Sequence, residues 1–308
     1  MADALRFLLG PSSSGKTGLI LEEMIGRSIE EPERSLLLIV PDQFTLASQI
    51  EMVNKHPYHV ITNIDVLSFG RLSHRILEET GHDRAELIDD TGKSLIIRRE
   101  AAAVREDTPF LEKYLKRPGY IHEIKSILSE FMLYGVGETD LVRAASDPAL
   151  PVSLGNRLRD LSTIYGKFIT ALGTEYTTRE DRLMVLAKAV PESVTLRGAR
   201  VYFDGFTGFT PLQVNVIREM LSVCEQVTVS LLWDHGVRDV TAEEAEEALF
   251  HMSRQTIDSL SEAAGDRGIA FVFSEDEASG KEAASGHGKE SSRAPVDGAA
   301  SPQDEDPG

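Results

Sequence analysis

Leu5-Arg6-Phe7-Leu8-Leu9-Gly10-Pro11-Ser12-Ser13-Ser14-Gly15-Lys16-Thr17 is the stretch on which the reading of this chain turns. The apolar run Leu5 to Leu9 stops at Gly10, and from Gly15 to about Glu30 apolar residues recur at Leu19, Ile20, Met24 and Ile25. That order reads as strand, glycine-rich turn, helix. Residues 10–17, G-P-S-S-S-G-K-T, match the pattern G-x-x-x-x-G-K-[S/T]. The spacing has a chemical reason. Gly10 and Gly15 let the backbone wrap a polyphosphate, and the N–H groups of Pro11-Ser12-Ser13-Ser14 and the helix start, proline excepted, supply positive potential. Lys16 is placed to reach the β- and γ-phosphates, and Thr17 offers a hydroxyl to magnesium. The competing reading is a Ser/Gly turn that caps a helix; the strand before it and the helix after it favour ATP with Mg2+.

Working outward, an unbroken apolar strand at Leu36 to Val40 is stopped by Pro41, and a third strand is expected around His59 to Leu67. Helical periodicity follows each, over Phe44 to about Val53 and Phe69 to Glu79. Strands alternating with helices imply a parallel α/β sheet. From about Asp89 the pattern becomes helical throughout. Four to six helices are predicted, among them Ser94 to Val104, Ile121 to Tyr134 and Leu154 to Leu172, separated at Pro118-Gly119, Gly135 to Gly137 and Pro151, with no strand between Gly92 and Val194. The sheet resumes at Arg200 to Asp204, followed by a helix over Pro211 to Cys224 and a strand over Gln226 to Leu232. A helix at about Ala245 to Ala264 and a short strand at Ile269 to Phe273 close the periodic part. The expected organisation is one α/β domain from residues 1–88 and 195–274, a helical insertion over 89–194, and a disordered acidic tail or cut interdomain linker over 275–308.

Composition sets limits. With 308 residues, 41% apolar, the chain can build a substantial core. The formal net charge of −18 argues against a surface that holds nucleic acid by general counterion release, so any DNA contact must be local. One cysteine, Cys224, excludes a disulfide framework and cannot by itself hold zinc or an iron–sulfur cluster; it reads as a small buried apolar residue. The N-terminus has the character of neither a secretory signal nor a transit peptide, and no apolar run approaches eighteen residues. A cytoplasmic chain with no membrane span is expected.

A phosphate loop that binds a metal nucleotide also needs an acid at the end of a neighbouring strand to hold the metal through water. V-Y-F-D at Val201 to Asp204 supplies the candidate, Asp204, whose other reading is an ordinary strand-end turn residue before Gly205. Helicase-type ATPases commonly carry a glutamate next to this aspartate to position water. Here the position is Gly205, so binding is expected and hydrolysis is in doubt.

With these pieces in order the chain resembles the N-terminal part of AddB-type subunits of the bacterial AddAB helicase–nucleases. The segments that carry the resemblance are the Gly10–Thr17 loop, L-I-V-P-D-Q-F-T at Leu38 to Thr45, V-L-S-F-G-R-L at Val66 to Leu72, D-D-T-G-K-S at Asp89 to Ser94, and V-Y-F-D-G-F-T-G-F-T-P at Val201 to Pro211. The resemblance implies a P-loop, RecA-like sheet of the superfamily 1 helicase type with a degenerate motor. It implies a subdomain inserted in that sheet, an AddA-type helicase–nuclease subunit as partner, and double-strand DNA ends as the complex's substrate in recombinational repair. It further places the loops at Pro41, Asp42 and Gln43 and at Ser68, Phe69 and Arg71 near DNA or nucleotide, at the C-terminal edge of the sheet. Read without the resemblance, Pro41 ends a strand and Ser68 caps a helix. Phe206 and Phe209 read as core, with Thr207 and Thr210 capping the helix ahead of Pro211.

Members of this family run well past 308 residues and carry a second motor domain, nuclease carboxylates and an iron–sulfur cluster. None of these is expected in this fragment. The leading expectation is an ATP-binding, degenerate helicase-like module. An autonomous P-loop ATPase or kinase, and a protein-interaction scaffold stiffened by ATP, are the alternatives.

Overall fold

The computed structural model describes residues 4–83, 85–115, 117, 119–233 and 250–274. The tail expected at 275–308, the first residues of the helix expected from Ala245 and the helix separator at Pro118 lie outside these. The first β–α–β unit runs β1 (Leu5–Gly10), α1 (Lys16–Glu30) and β2 (Leu36–Ile39). A 3-10 turn at Asp42–Phe44 leads into α2 (Thr45–Lys55), β3 (Ile64–Leu67) and α3 (Phe69–Glu79). The two-residue β4 (Glu86–Leu87) precedes α4 (Asp90–Ala103), α5 (Glu112–Leu115), α6 (Tyr120–Leu133), α7 (Glu138–Ala145) and α8 (Val152–Leu172). Then come β5 (Tyr176–Thr177), α9 (Arg179–Ala189), β6 (Arg200–Phe203), α10 (Pro211–Val223), β7 (Gln226–Leu232), α11 (His251–Ala264) and β8 (Ile269–Phe273).

Six strands form one sheet in the order β3-β2-β6-β7-β1-β8, and every pairing in it is parallel. The predicted α/β class and parallel sheet are therefore present. The chain moves from β1 outward to β2 and β3, then returns to β6, β7 and β8. Right-handed crossovers consequently put α1 and α2 on one face and the later helices on the other. Burial follows that division along β2. Leu36 and Leu38 join Ile20, Leu21 and Met24 of α1 and Met52 of α2, whereas Leu37 and Ile39 join residues of α3, α9, α10 and α11. All four β2 residues are buried, which is why the strand reads as unbroken apolar sequence.

Local caps decide where the helices start. Ser68 accepts the Arg71 amide, Asp89 accepts the Gly92 amide at 2.7 Å, and Thr178 and Thr210 form reciprocal caps with Asp181 and Gln213. Pro211 occupies the first turn of α10, where its missing N–H costs nothing. Phe206 and Phe209 pack against the sheet core as expected, in a ring cluster with Phe69 and Phe203.

Helices α4, α6, α7 and α8 bury their apolar faces against one another in a separate cluster built on Ile97, Ile124, Leu128, Ile164 and Phe168. Two details differ from the periodicity. The pairing of β4 with β5 joins Glu86 to Tyr176 and Leu87 to Thr177, a contact too short to leave an alternating pattern. Helix α9 sends Leu183, Leu186 and Ala189 into the sheet core rather than into the helical cluster. Among the described residues no helix is long and apolar enough to cross a membrane.

Candidate functional site

The Gly10–Thr17 loop leaves the C-terminal end of β1 at an inner position of the sheet. Two of its residues take left-handed backbone, Ser13 with φ 61° and Gly15 with φ 85°. Gly15 therefore suits its place by conformation. Gly10 is favoured for a different reason, because a Cβ there would lie 2.1 Å from Ser274 Oγ and 2.7 Å from Ser14 Oγ and would force both hydroxyls to move. These two hydroxyls meet each other, Ser274 donating to Ser14 at 2.8 Å. Ser274 directly follows β8, so the two strands that flank β1 both touch the loop: on the other side the Trp233 amide, just beyond β7, donates to the Gly10 carbonyl at 2.9 Å.

Helix α1 starts at Lys16 with no side-chain cap and no acidic residue in its first turn. Its leading amides are free to meet an anion, and the helix dipole favours one. The Lys16 ammonium donates to the Gly10 carbonyl at 2.8 Å and the Pro11 carbonyl at 2.6 Å. Burial lowers its pKa, and the negative charge of Asp204 opposes that shift. Thr17 Oγ1 donates to Asp204 Oδ2 at 2.7 Å, joining the first turn of α1 to the end of β6 across 187 residues of sequence. The other carboxylate oxygen of Asp204 accepts from Ser230 Oγ on β7. Asp204 is buried, and its own amide donates to the Ile39 carbonyl at 3.0 Å, which seats it against β2.

Gly205 has φ 77°, in a turn where an added Cβ would touch the ring edges of Pro41 and Phe44. A glutamate at that position would have to adopt left-handed backbone, so the turn as built disfavours the missing water-positioning carboxylate. Among the described residues no group of three or more His, Cys, Asp or Glu could hold a metal ion. Thr17 and Asp204 bring one hydroxyl and one carboxylate oxygen together beside the start of α1.

Under α1 a second, partly buried polar group lies on the same sheet face. Glu23 accepts from Arg6, from Arg27 Nε at 2.9 Å and from Tyr202 Oη at 3.0 Å. Burial tends to raise the Glu23 pKa, but the charge and hydrogen bonds of Arg6 and Arg27 hold it below the ordinary carboxylate value. This network anchors the helix that carries Lys16 and Thr17.

The other predicted loops meet at a different place. Asp42, Ser68, Phe69 and Arg71 line a cavity of about 610 Å³, whose opposite wall is Leu87 and the first turns of α9 with Arg179 and Arg182. Pro41 and Gln43 do not line it. Ser68 is a buried helix cap and Phe69 is a core ring that reaches the cavity wall, so both carry structural duties as well. Arg182 pairs with Asp83; Arg71 and Arg179 are exposed and make no ion pair among the described residues. The sequence did not mark Arg179, Arg182, Ser230 or Ser274. For Ser230 a signal existed: a serine in the interior of the apolar strand Q-V-T-V-S-L-L.

Four of the five segments that carried the family resemblance fall at the C-terminal edge of the sheet, at the ends of β1, β2, β3 and β6. The fifth, Asp89–Ser94, begins α4 and buries Lys93 in an ion pair with Glu180. A profile described as ADDB, N-terminal, matches residues 7–288. An ATP-dependent helicase/deoxyribonuclease subunit of Lachnoclostridium phytofermentans is 33% identical over 261 residues, covering 85% of this chain and 23% of that protein. Its counterpart in Moorella thermoacetica is 34% identical over 271 residues, with 86% and 23% covered, and that of Desulforamulus reducens 32% identical over 265 residues, with 85% and 23% covered. The chain thus spans about a quarter of the length of these curated relatives. Matched along nearly all of its described length, the chain belongs to the AddB N-terminal family.

Proposed function

We propose that this chain binds ATP with Mg2+ through the Gly10–Thr17 loop and acts as the nucleotide-binding, helicase-like module of an AddB-type subunit. In this reading it works with an AddA-type helicase–nuclease subunit on broken DNA ends in recombinational repair. The name its relatives carry, that of an ATP-dependent helicase/deoxyribonuclease, supports that setting. The observation that carries the nucleotide reading is the convergence of three features on one helix start: uncapped amides, the Lys16 ammonium, and Thr17 bonded to Asp204.

The residues fit the ligand. Thr17 and Asp204 present hard oxygens 2.7 Å apart, as Mg2+ prefers, and leave its remaining positions to phosphate and water. When bound, the metal would neutralise phosphate charge. Lys16 would exchange the Gly10 and Pro11 carbonyls for phosphate oxygens, a charge-assisted gain over neutral acceptors. The open sheet brings this about at a switch point, because β1 hands the chain to one side of the sheet and receives β8 on its other side. These features support a P-loop, RecA-like assignment of the sheet with residues 89–194 as its helical insertion. With Gly205 next to Asp204, the position that carries a water-positioning glutamate in helicase-type ATPases lacks one, so the reading assigns nucleotide binding to this module and does not extend to hydrolysis.

Titrating the chain with a fluorescent ATP analogue, beside Lys16→Ala, tests this. Loss of one charge-assisted contact should weaken binding by about tenfold or more. Equal affinity in the two proteins, or no binding to either, would sink the nucleotide site.

A further inference from the structure

We infer that Ser230 is a positioning residue for the metal end of this site, fixing the Asp204 carboxylate so that the oxygen facing Thr17 is the one presented to Mg2+. The inference rests on the nucleotide reading above and adds to it a residue outside the loop and outside the strand that bears the acid.

Strand β7 alternates. Val227, Val229 and Leu231 face the core under α10 and α11, while Thr228 and Ser230 point to the face that α1 covers. On that face the adjoining strands β1 and β6 place Arg6, Leu8 and Tyr202, and β2 and β3 beyond them place Leu36, Leu38, Ile64 and Val66. A small hydroxyl in such surroundings is costly unless it is partnered. Thr228 Oγ1 is buried and has no hydrogen-bond partner among the described residues. Ser230 Oγ, by contrast, donates to Asp204 Oδ1.

The torsion that orients an aspartate carboxylate is broad, so one hydrogen bond leaves its plane free to swing. Here two hydroxyls hold it from opposite ends, Thr17 on Oδ2 from α1 and Ser230 on Oδ1 from β7. With Mg2+ bound, the Thr17 hydroxyl would turn to the metal and give up its bond to Asp204, whereas the Ser230 hydroxyl, on the other carboxylate oxygen, would be free to keep its own. The Ser230 bond is the one that persists and keeps the carboxylate aimed. Groups that orient a metal-facing carboxylate in this way usually matter about ten- to a hundredfold to metal affinity.

The test follows nucleotide binding to the full chain by energy transfer from Trp233, its one tryptophan, to an N-methylanthraniloyl ATP analogue, with Mg2+ titrated in and with EDTA present. Ser230→Ala should raise the Mg2+ concentration needed for half-maximal enhancement about tenfold while leaving affinity in EDTA unchanged. Ser230→Thr, which keeps the donor, should restore the wild-type Mg2+ response. Ser230→Cys, near in volume and a weak donor, should resemble Ser230→Ala and covers the case in which alanine fails to fold. An unchanged Mg2+ response in both donor-poor variants, or an equal loss with and without metal, overturns the inference. Lys16→Ala separates the two failures: it should lose affinity in EDTA as well, and a wild-type chain that binds no nucleotide removes the site and this inference together.

Discussion

Gly10 and Gly15 look interchangeable in the loop pattern, yet they are held by different forces. Gly15 has open space around its Cα and is fixed by φ 85°, whereas Gly10 is fixed by the Ser14 and Ser274 hydroxyls crowding it. Gly15→Ala should therefore cost about 1–2 kcal/mol of stability from backbone conformation alone, and Gly15→Asn less, because asparagine tolerates that region. Urea unfolding read by circular dichroism checks the order; alanine and asparagine with the same midpoint would refute the conformational account. Cys224, expected to be a small buried apolar residue, is partly buried and packs against the sheet core. Burial pushes its thiol pKa up to about 12, which leaves little thiolate near neutral pH.

At the scale of elements, α9 joins the two cores. Its apolar face lies in the sheet cluster, while Glu180 in its first turn reaches into the helical cluster and accepts from Lys93 Nζ at 2.9 Å on both carboxylate oxygens. Lys93 also donates to Ser129 at 3.0 Å, so α4, α6 and α9 are tied at one buried point. Lys93→Met should cost about 3–5 kcal/mol by leaving Glu180 charged and unpaired, whereas the double change Lys93→Met with Glu180→Leu should recover most of it. Thermal unfolding of the three proteins decides this, and a double variant no better than the single would refute it. The pair also has a pH signature. Burial tends to raise the Glu180 pKa, but the hydrogen bond and charge of Lys93 outweigh it and hold the value below the ordinary 4.5. A lowered carboxylate stabilises the fold above its unfolded value and loses that contribution as pH falls through the folded one. The gap between wild type and the double variant should accordingly narrow below pH 4.5.

Over the whole molecule the sheet and the helical part meet across the cavity of about 610 Å³, with Arg71 on the sheet side and Arg179 on α9. In a chain of net charge −18, two exposed arginines that make no ion pair among the described residues line this cavity together with one carboxylate, Asp42, and so offer the kind of local site that a nucleic-acid contact requires here. If this cavity takes a single strand of DNA, Arg71→Ala and Arg179→Ala should each lower the slope of log affinity against log salt by about 0.7. Fluorescence anisotropy with a labelled oligonucleotide at several salt concentrations measures it; slopes unchanged in both variants would remove the cavity from the DNA path.

The sequence by itself determined the α/β alternation, because the inner strands β1, β2, β6 and β7 are buried along nearly their whole length and the helices between them bury one face, and burial of that kind writes a local pattern. It likewise located the Gly10–Thr17 loop, whose glycines, lysine and threonine act within one turn of backbone, and the caps at Ser68 and Thr210, which act over three residues. Asp204 was legible as the acid that ends an apolar strand. Only the tertiary structure decided that Thr17 and Ser230 grip that acid from both sides, that Ser274 presses on Gly10, and that Arg179 faces Arg71. Those relations join residues far apart in the chain through strand order and crossover hand. Such properties belong to the sheet as a whole and leave no period in any one segment.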